Sequence, residues 1–466
     1  MNDSEDSRAV RQQIYDRIRQ SSHDEYILDE MIRLGFWSSD KDAPSVPEQL
    51  IRKEAELSRE LRDLLKKQRR FENRKKMLKE MRTKRLAESR KKQQETKERK
   101  KRERDEKARQ WQQKKATAIF YLGEGVSAGL NQKELLTERL NQYNLPVFTS
   151  VEALAQAMEI SVGELRFLTF HRKVSKTTHY QRFYMPKKSG GVRLISAPMP
   201  RLKHAQYWVF HNILQQIPLH SAGHGFRPAH SIVSNAEPHQ GQDIVINMDL
   251  RDFFPSISYK RIKGLFHALG YSEQIATILG LLCTEPEIDQ VELDGETYYV
   301  ANSERHLPQG APTSPALTSI LCRRLDSRLQ GMADKLGFAY TRYADDLTFS
   351  ASGETARQFT QLLWQARKII EDEGFVLHPE KLRIMRKGSR QEVTGIVVNE
   401  KLSVNRKTLK NFRALLFHIE KDGLDGKHWK GQPVSLAFLK GFANYVKMVD
   451  PDKGRPLLDR INKLIV

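Results

Sequence analysis

The spacing of apolar residues divides the chain into a helical N-terminal part and a mixed remainder. Between residues 7 and 37, apolar side chains such as Ile14, Ile18 and Ile27 recur at helical intervals, which predicts a small helical element. Residues 48–115 contain no proline or glycine and are rich in Glu, Lys, Arg, Gln and Leu, all good helix formers. This segment is predicted to form one continuous helix of up to roughly 100 Å, at about 1.5 Å per residue.

The two halves of this predicted helix differ in apolar content. The first half carries a heptad-like stripe that could pack on a partner helix, formed by Leu57, Leu61, Leu64, Phe71 and Leu78. Residues 87–110 have almost no apolar face. The second half is therefore expected to lie against solvent or phosphate.

From residue 116 onward, helical and strand-like patterns alternate. Residues 133–170 have helical spacing, and residues 245–248 form an apolar run that predicts a buried strand. Residues 407–466 are predicted to be helical from a stripe formed by Leu409, Phe412, Leu415, Leu416 and Ile419.

Composition excludes several classes of protein. Among the 466 residues, 39% are hydrophobic and 29% are charged, which is too polar for a membrane protein and too apolar for a disordered one. The two cysteines, Cys283 and Cys322, exclude a disulfide framework and a four-cysteine zinc site. The chain begins with acidic residues where a signal peptide would be basic and then apolar, so a cytoplasmic protein without a membrane partner is expected.

The positive charge is concentrated in one segment, residues 51–115, called the basic arm below. The basic arm has 28 Lys or Arg against 12 Asp or Glu, so it carries +16 of the total net charge of +21. Binding to a polyanion such as RNA or DNA would explain this excess, because phosphate contacts release counterions. The alternative is a solvated charged helix or a disordered tract that only aids solubility.

Acidic residues stand at the ends of two predicted strands. Asp249 follows the apolar run at 245–248, and Asp345 and Asp346 are adjacent just before an alternating run. Because neighbouring residues on a regular strand point to opposite faces, two useful carboxylates side by side predict a tight hairpin turn. Three carboxylates from two distant parts of the chain could then converge.

Such a cluster suits divalent cations. Mg²⁺ prefers oxygen ligands and keeps coordination positions for water and substrate phosphate. Two ions roughly 3.5 to 4 Å apart would activate a hydroxyl and stabilise a leaving pyrophosphate, which is nucleotidyl transfer. An Asp-Asp pair alone is usually a turn or a solvated surface, so the surrounding segments decide.

Four segments, in this order, resemble those of reverse transcriptases. Residues 184–193 are similar to the fingers hairpin of that family, and Asp249 matches the carboxylate of its first palm strand. Residues 307–315 are similar to its nucleotide-pocket segment, and residues 343–346, Tyr-Ala-Asp-Asp, resemble its Tyr-x-Asp-Asp hairpin. The resemblance covers about residues 165–460 and implies an α+β, right-hand polymerase fold of fingers, palm and thumb.

Two further signatures resemble one branch, the bacterial retron reverse transcriptases. Residues 235–239 match its Asn-Ala-x-x-His element, and residues 393–395 match its Val-Thr-Gly element. Group II intron and diversity-generating enzymes share the palm but are not usually recognised by this pair. One residue departs from the pattern: His378 stands where relatives commonly have Asn, which leaves its role open.

The resemblance implies roles for individual residues. Two magnesium ions are expected at the three aspartates, with the carbonyl of Leu250 as an additional ligand. The residues expected to bind the incoming dNTP are Lys187, Lys188, Arg193, Phe254, Gln309, Gly310 and Lys381. Phe254 would exclude a 2′-hydroxyl, although a Phe after an apolar strand is also typical of core packing.

RNA contacts are expected in two places. Asn235 and His239 belong to the retron element, and His239 would either contact RNA or cap a local turn. In the retron family the thumb recognises a hairpin of the cognate noncoding RNA, for which Lys430, Lys440 and Lys447 are the candidates here.

The sequence therefore predicts an RNA-directed DNA polymerase with three parts: a basic helical N-terminal extension (1–115), fingers and palm (116–400) and a helical thumb (401–466). By family likeness it would prime from a guanosine 2′-hydroxyl of a structured noncoding RNA and make a branched RNA-DNA hybrid, msDNA, in anti-phage defence. An effector protein and a host RNase H are the implied protein partners. The alternatives are an RNA-binding scaffold that restrains a toxin, and a group II intron or diversity-generating reverse transcriptase.

Overall fold

The computed structural model describes residues 3–38, 44–187 and 190–464. The chain divides into two compact units, Met1–Gln110 and Trp111–Val466. In the described ranges, no helix has both the length and the apolar character needed to cross a membrane.

The first unit is helical. Its helices are α1 (Asp3–Gln20), α2 (His23–Arg33), α3 (Val46–Glu72) and α4 (Arg74–Thr117), of which α4 continues into the second unit. Ser22 caps α2 by accepting a hydrogen bond from the amide of Glu25. Helix α3 packs on α2 through fully buried Ala55, and Arg59 contacts the carboxylate of Glu25 at 3.0 Å.

The prediction of one continuous helix over residues 48–115 was wrong at one position. The helix breaks at Asn73, whose backbone has φ −88° and ψ 70°. The Asn73 side chain accepts a hydrogen bond from the amide of Lys76, so it starts α4 as an N-cap does. No residue of α4 is buried, and the apolar stripe is exposed at Leu57, Leu61, Leu64, Phe71 and Leu78.

The second unit combines helices with antiparallel sheets, which confirms the predicted α+β class. The helices that follow α4, as far as residue 372, are α5 (Thr137–Gln142), α6 (Val151–Ala157), α7 (Val162–Thr169), α8 (Pro200–Asn212), α9 (Ile232–Ala236), α10 (Tyr259–Ala268), α11 (Glu273–Cys283), α12 (Ser314–Leu321), α13 (Arg323–Leu336) and α14 (Phe359–Asp372). Most of these helices contribute to one large hydrophobic core.

Four strands form the central sheet, in the order β7, β8, β4, β9: β4 (Ile244–Asp249), β7 (Ala339–Tyr343), β8 (Asp346–Ala351) and β9 (Arg383–Arg386). Strand β4 lies in the middle and is almost wholly buried, as its apolar run predicts. A hairpin of β2 (Tyr180–Pro186) and β3 (Val192–Pro198) stands apart from this sheet. A three-stranded sheet contains β1 (Val174–Ser175), β5 (Ile288–Leu293) and β6 (Glu296–Ala301).

The C-terminal part has a separate core. It contains β10 (Glu392–Val393), β11 (Ile396–Val397), β12 (His428–Trp429) and β13 (Gln432–Pro433), with α15 (Arg406–Asp422), α16 (Leu436–Val449) and α17 (Pro451–Lys463). The predicted apolar stripe supplies buried Leu409, Phe412, Leu416 and Ile419 to this core. Ala236 and Val245 also belong to it, so the α9 segment and the central sheet pack against the C-terminal helices.

Candidate active site

The predicted acidic residues meet at one end of the central sheet. Asp249 ends β4 and pairs in register with Asp346, the first residue of β8. Tyr343 pairs with Asp346, so Ala344 and Asp345 form a two-residue turn, and the predicted tight hairpin is confirmed. The amide of Leu250 donates to the carbonyl of Asp345 at 3.0 Å, which ties the turn to the strand carrying Asp249.

The turn depends on an unusual backbone and a close neighbour. Ala344 has φ +56°, in the left-handed region that L residues seldom adopt. A Cβ added at Gly225 would lie 2.6 Å from the Ala344 amide nitrogen, so only glycine fits beside the turn. The structure thus tolerates a strained residue next to the carboxylates because packing holds it there.

Burial and mutual repulsion shape the charge of these carboxylates. Burial raises the pKa of Asp346 to about 7, and the negative charges of Asp345 and Asp249 add to the shift. Burial also raises the pKa of Asp345, again with a contribution from Asp249. Carboxylates with raised pKa values gain from a nearby cation, which would favour their ionised form.

Lys381 provides one such cation from within the chain. Its Nζ lies 2.8 Å from Oδ1 of Asp249, and its charge also acts on Asp345 and Asp346. The amide of His378 donates to the carbonyl of Asp249 at 2.8 Å, which holds the Lys381 segment beside β4. His378 Nδ1 is buried and has no hydrogen-bond partner among the described residues.

The donor set has the chemistry that magnesium requires, but it is not a closed cage. Asp249, Asp345 and Asp346 offer hard oxygen ligands and electrostatic repulsion that a divalent ion would relieve. Within the described ranges, however, no three acidic, His or Cys side chains are already arranged as a metal-binding group. The ammonium of Lys381 holds Oδ1 of Asp249, so a metal ion would compete with Lys381 for that oxygen.

A buried ion pair that the sequence pattern did not predict supports the turn from behind. Arg342 is 2% exposed and contacts both carboxylate oxygens of Asp326 at 2.6 and 2.7 Å. The Arg342 guanidinium also donates to the carbonyl of Ala344 at 3.1 Å, and Tyr340 donates to Asp326 at 2.9 Å. The available signal was an Arg inside an apolar strand directly before the Asp pair.

The β2–β3 hairpin carries the basic residues predicted to bind triphosphate. Lys187 and Arg193 are exposed near its tip, where Met185 pairs with Arg193. The positive charge of Arg193 partly offsets the raised pKa of Asp345. The β2–β3 hairpin therefore lies within electrostatic reach of the turn formed by Ala344 and Asp345, called the acidic turn below. Lys188 lies outside the described residues.

The predicted nucleotide-pocket segment contacts the same hairpin. The carbonyl of Gln309 accepts from the amide of Ser196 at 2.8 Å. Gly310 has φ +123°, and an added Cβ would lie 2.9 Å from both Ile195 and Ser196, so glycine permits this close approach. Phe254 is half-buried against Phe253 and Phe226, with ring centroids 5.6 and 6.4 Å away, which leaves both of its predicted roles open.

The expectation that Asn235 and His239 contact RNA was wrong for this structure, because both residues are fully buried. His239 bridges the two strands of the acidic hairpin: Nδ1 lies 2.6 Å from the Ser350 hydroxyl and Nε2 lies 2.8 Å from the Thr341 hydroxyl. Burial lowers the pKa of His239 to about 3, so the ring is neutral. The Thr341 hydroxyl also donates to the Asn235 carbonyl at 3.2 Å. The Asn235 side chain has no hydrogen-bond partner in the part of the chain that the structure describes.

The Val-Thr-Gly element at residues 393–395 contacts both the α9 segment and the C-terminal helices. Thr394 donates to the carbonyl of Ile232 at 3.3 Å, and the Gly395 carbonyl accepts from Tyr445 of α16 at 3.1 Å. The two signature elements therefore lie in one chain of contacts between the acidic hairpin and the C-terminal helices. The predicted RNA-binding lysines Lys430, Lys440 and Lys447 are all exposed on this C-terminal part.

Comparisons with known proteins agree with the geometry. The family model described as reverse transcriptase (RNA-dependent DNA polymerase) matches residues 185–411. The chain is 42% identical to the retron Mx162 reverse transcriptase of Myxococcus xanthus over 370 residues, covering 75% of each chain. It is 41% identical to the retron Mx65 reverse transcriptase of the same organism, covering 71% of this chain and 76% of the relative. It is 34% identical to the retron Ec86 reverse transcriptase of Escherichia coli, covering 71% of this chain and 94% of the relative.

Proposed function

Because the chain belongs to the bacterial retron reverse transcriptases, we propose that it copies part of a structured noncoding RNA, starting from a guanosine 2′-hydroxyl. Membership makes the chain an RNA-directed DNA polymerase with the right-hand fold, which acts on nucleic acid. The proposed product is a branched RNA-DNA hybrid, msDNA, that serves anti-phage defence with an effector protein. The pairing of Asp249 with Asp346, beside Asp345 in a tight turn, is the observation that carries the catalytic proposal.

The proposed metal site uses Asp249, Asp345, Asp346 and the carbonyl of Leu250 for two magnesium ions. When bound, magnesium would promote deprotonation of the attacking hydroxyl and stabilise charge on the leaving pyrophosphate. The chain itself fixes the carboxylates, through the β4–β8 register and the Arg342 contact to the turn. Lys381 would leave Asp249 as the metals bind and become free to contact the substrate.

The proposed dNTP site lies between the hairpin and the acidic turn. Lys187, Lys188 and Arg193 would neutralise the triphosphate, since charged donors bind phosphate oxygens strongly. Gln309 and Gly310 would shape the pocket beside β3, because the Gly310 backbone approaches that strand closely. Phe254 would pack against the sugar and exclude a 2′-hydroxyl.

RNA recognition is proposed for the C-terminal part, with Lys430, Lys440 and Lys447 facing a hairpin of the cognate RNA. Their exposure supports this role. We retain the division into an extension (1–115), fingers and palm (116–400) and thumb (401–466) as part of the proposal. A host RNase H would trim the template, and the cytoplasm is the proposed location.

Analysis of the nucleic acid that co-purifies with the protein tests the priming reaction. The expected material is DNA that survives RNase treatment and stays joined to a short RNA through a debranching-sensitive 2′ linkage. A preparation from the Asp345→Asn, Asp346→Asn variant should contain the RNA without this DNA. DNA joined instead to the 3′-hydroxyl of a primer would contradict 2′ priming, although the polymerase assignment would stand.

A further inference from the structure

A small cavity behind the β2–β3 hairpin is not explained by the proposed catalytic site. Its volume is about 80 Å³, and it lies between the end of α7, β1, the start of β2 and the end of α11. Its charged lining consists of Arg172, Arg182, Arg305 and Glu285. With its histidines neutral, the cavity therefore carries two more positive than negative charges.

Among the described residues, one of these guanidinium groups has a direct ion pair, and the same carboxylate, Glu285, acts on Arg305 only from a longer distance. Arg182 forms an ion pair with Glu285, and both side chains are largely buried. In the part of the chain that the structure describes, no carboxylate lies within 4 Å of Arg172 or Arg305. Positive charge held in a partly buried space is unfavourable unless an anion compensates it.

Arg305 is held in place for such an anion. Its Nη2 donates to the carbonyls of Leu281 and Thr284 at the end of α11, and its Nε contacts the Thr284 hydroxyl at 3.3 Å. These bonds cap the helix end, which is a structural role in itself. They also fix the guanidinium plane, while Nη1 makes no hydrogen bond to the described chain. A fixed guanidinium loses little entropy when it binds an oxyanion.

The rim and wall add groups suited to a nucleotide. Arg172 is exposed at the rim and lies over the ring of Phe170, 5.0 Å from its centroid. The His179 ring meets the Phe167 ring edge-on at 4.8 Å. Burial lowers the pKa of His171 and His179, and the charge of Arg305 lowers both further, as expected for a cavity of positive potential.

We propose that this cavity binds a phosphate group of single-stranded nucleic acid, held by Arg305 Nη1 and Arg172. The wall residues Tyr180 and Arg182 belong to β2, the strand that leads to Lys187 at the hairpin tip. A strand that follows the hairpin from the acidic turn would thus reach the cavity. The inference rests on the proposed function, because the strand would be template or cognate RNA.

Arg172→Gln tests the proposal, and Lys173→Gln is the matched control. Lys173 is the next residue and is also exposed, but its Nζ contacts Glu124 at 2.8 Å outside the cavity lining. With a labelled single-stranded RNA, Arg172→Gln should lower affinity about tenfold, the effect of one charged hydrogen bond. The slope of log affinity against log salt should fall by about 0.7, the value for one phosphate contact.

A second variant and a competitor complete the design. Arg305→Lys keeps a positive charge at the end of α11 but removes the free Nη1, and it should also weaken RNA binding while thermal melting verifies folding. Adenosine monophosphate should compete with RNA for wild type but not for Arg172→Gln, because its phosphate would occupy the same site. Equal losses of RNA affinity in Arg172→Gln and Lys173→Gln, with DNA synthesis by wild type intact, would overturn the proposal. Loss of the proposed function would instead appear as absent DNA synthesis by wild type.

Discussion

The acidic hairpin and the basic arm both concentrate charge, but the structure treats the two regions in opposite ways. At the hairpin, Asp345 and Asp346 are partly buried beside Asp249, and burial raises their pKa values. In the basic arm, α4 has no buried residue, and ion pairs such as Arg99 with Glu103, 3.7 Å apart, are exposed. Partly buried charges are poorly screened and therefore favour binding of one specific ligand. Charges along an exposed helix are already screened by water and salt.

The largest effect is expected from removing charge at the hairpin. Asp345→Asn with Asp346→Asn should abolish DNA synthesis, because amide oxygens cannot replace two anionic metal ligands. RNA affinity should stay within about twofold of wild type, since neither residue is proposed to contact RNA. Primer extension and RNA binding by the same preparation would measure both. Undiminished dNTP incorporation would remove these residues from the catalytic site.

A pH-dependent magnesium requirement should distinguish a confined carboxylate from an exposed one. The pKa of Asp346 is raised to about 7, so below that pH a proton competes with the metal. The magnesium concentration for half-maximal synthesis should rise about tenfold per pH unit below pH 7 and level off above it. A midpoint near pH 4, the ordinary range of Asp, would show that burial does not control this site.

Raising the pH should favour magnesium binding but should destabilise the metal-free protein. Folded Asp346 binds its proton more tightly than the unfolded chain does, so the free energy of unfolding should fall as pH rises from about 4 to 7. Asp346→Asn should reduce this slope, leaving the part due to Asp345, and stabilise the metal-free protein at pH 8 by roughly 1 to 3 kcal/mol. Denaturant unfolding in the presence of a chelator measures the difference, and excess magnesium should reverse its sign.

A smaller loss is expected when the support of the hairpin is changed. His239→Leu would remove the partner of the buried Ser350 hydroxyl, at a cost of about 1 to 3 kcal/mol, whereas the Thr341 hydroxyl would keep its bond to the Asn235 carbonyl. Synthesis should fall about tenfold to a hundredfold through a lower turnover rate, with unchanged RNA affinity. His239→Gln, which can donate and accept, should restore part of the activity. A variant that loses RNA affinity but not turnover would return His239 to an RNA-binding role.

The sequence predicted the parts of the site that depend on local pattern. The apolar run before Asp249 and the adjacent aspartates indicated a strand and a tight turn, and both are present. Interactions between distant segments carried no such signal. The pairing of Arg342 with Asp326 and the burial of His239 follow from packing of the whole sheet, which residue order alone does not specify. Asn73 separates two helices because its side chain accepts a hydrogen bond from the amide of Lys76. The helix-favouring composition of the whole segment did not reveal the effect of this single residue.

The smallest effect on catalysis, and the most direct test of the comparison, concerns the basic arm. Replacing Lys91, Lys92, Lys100 and Lys101 of α4 by Gln should weaken RNA binding modestly and reduce the salt slope by about 0.7 for each phosphate that is no longer neutralised. Arginine at the same four positions should preserve the slope, because the charge remains. Synthesis at low salt should be nearly unchanged, since these residues are outside the proposed metal and dNTP sites. An unchanged slope in the glutamine variant would mean that this part of α4 is a solvated helix without a nucleic-acid ligand.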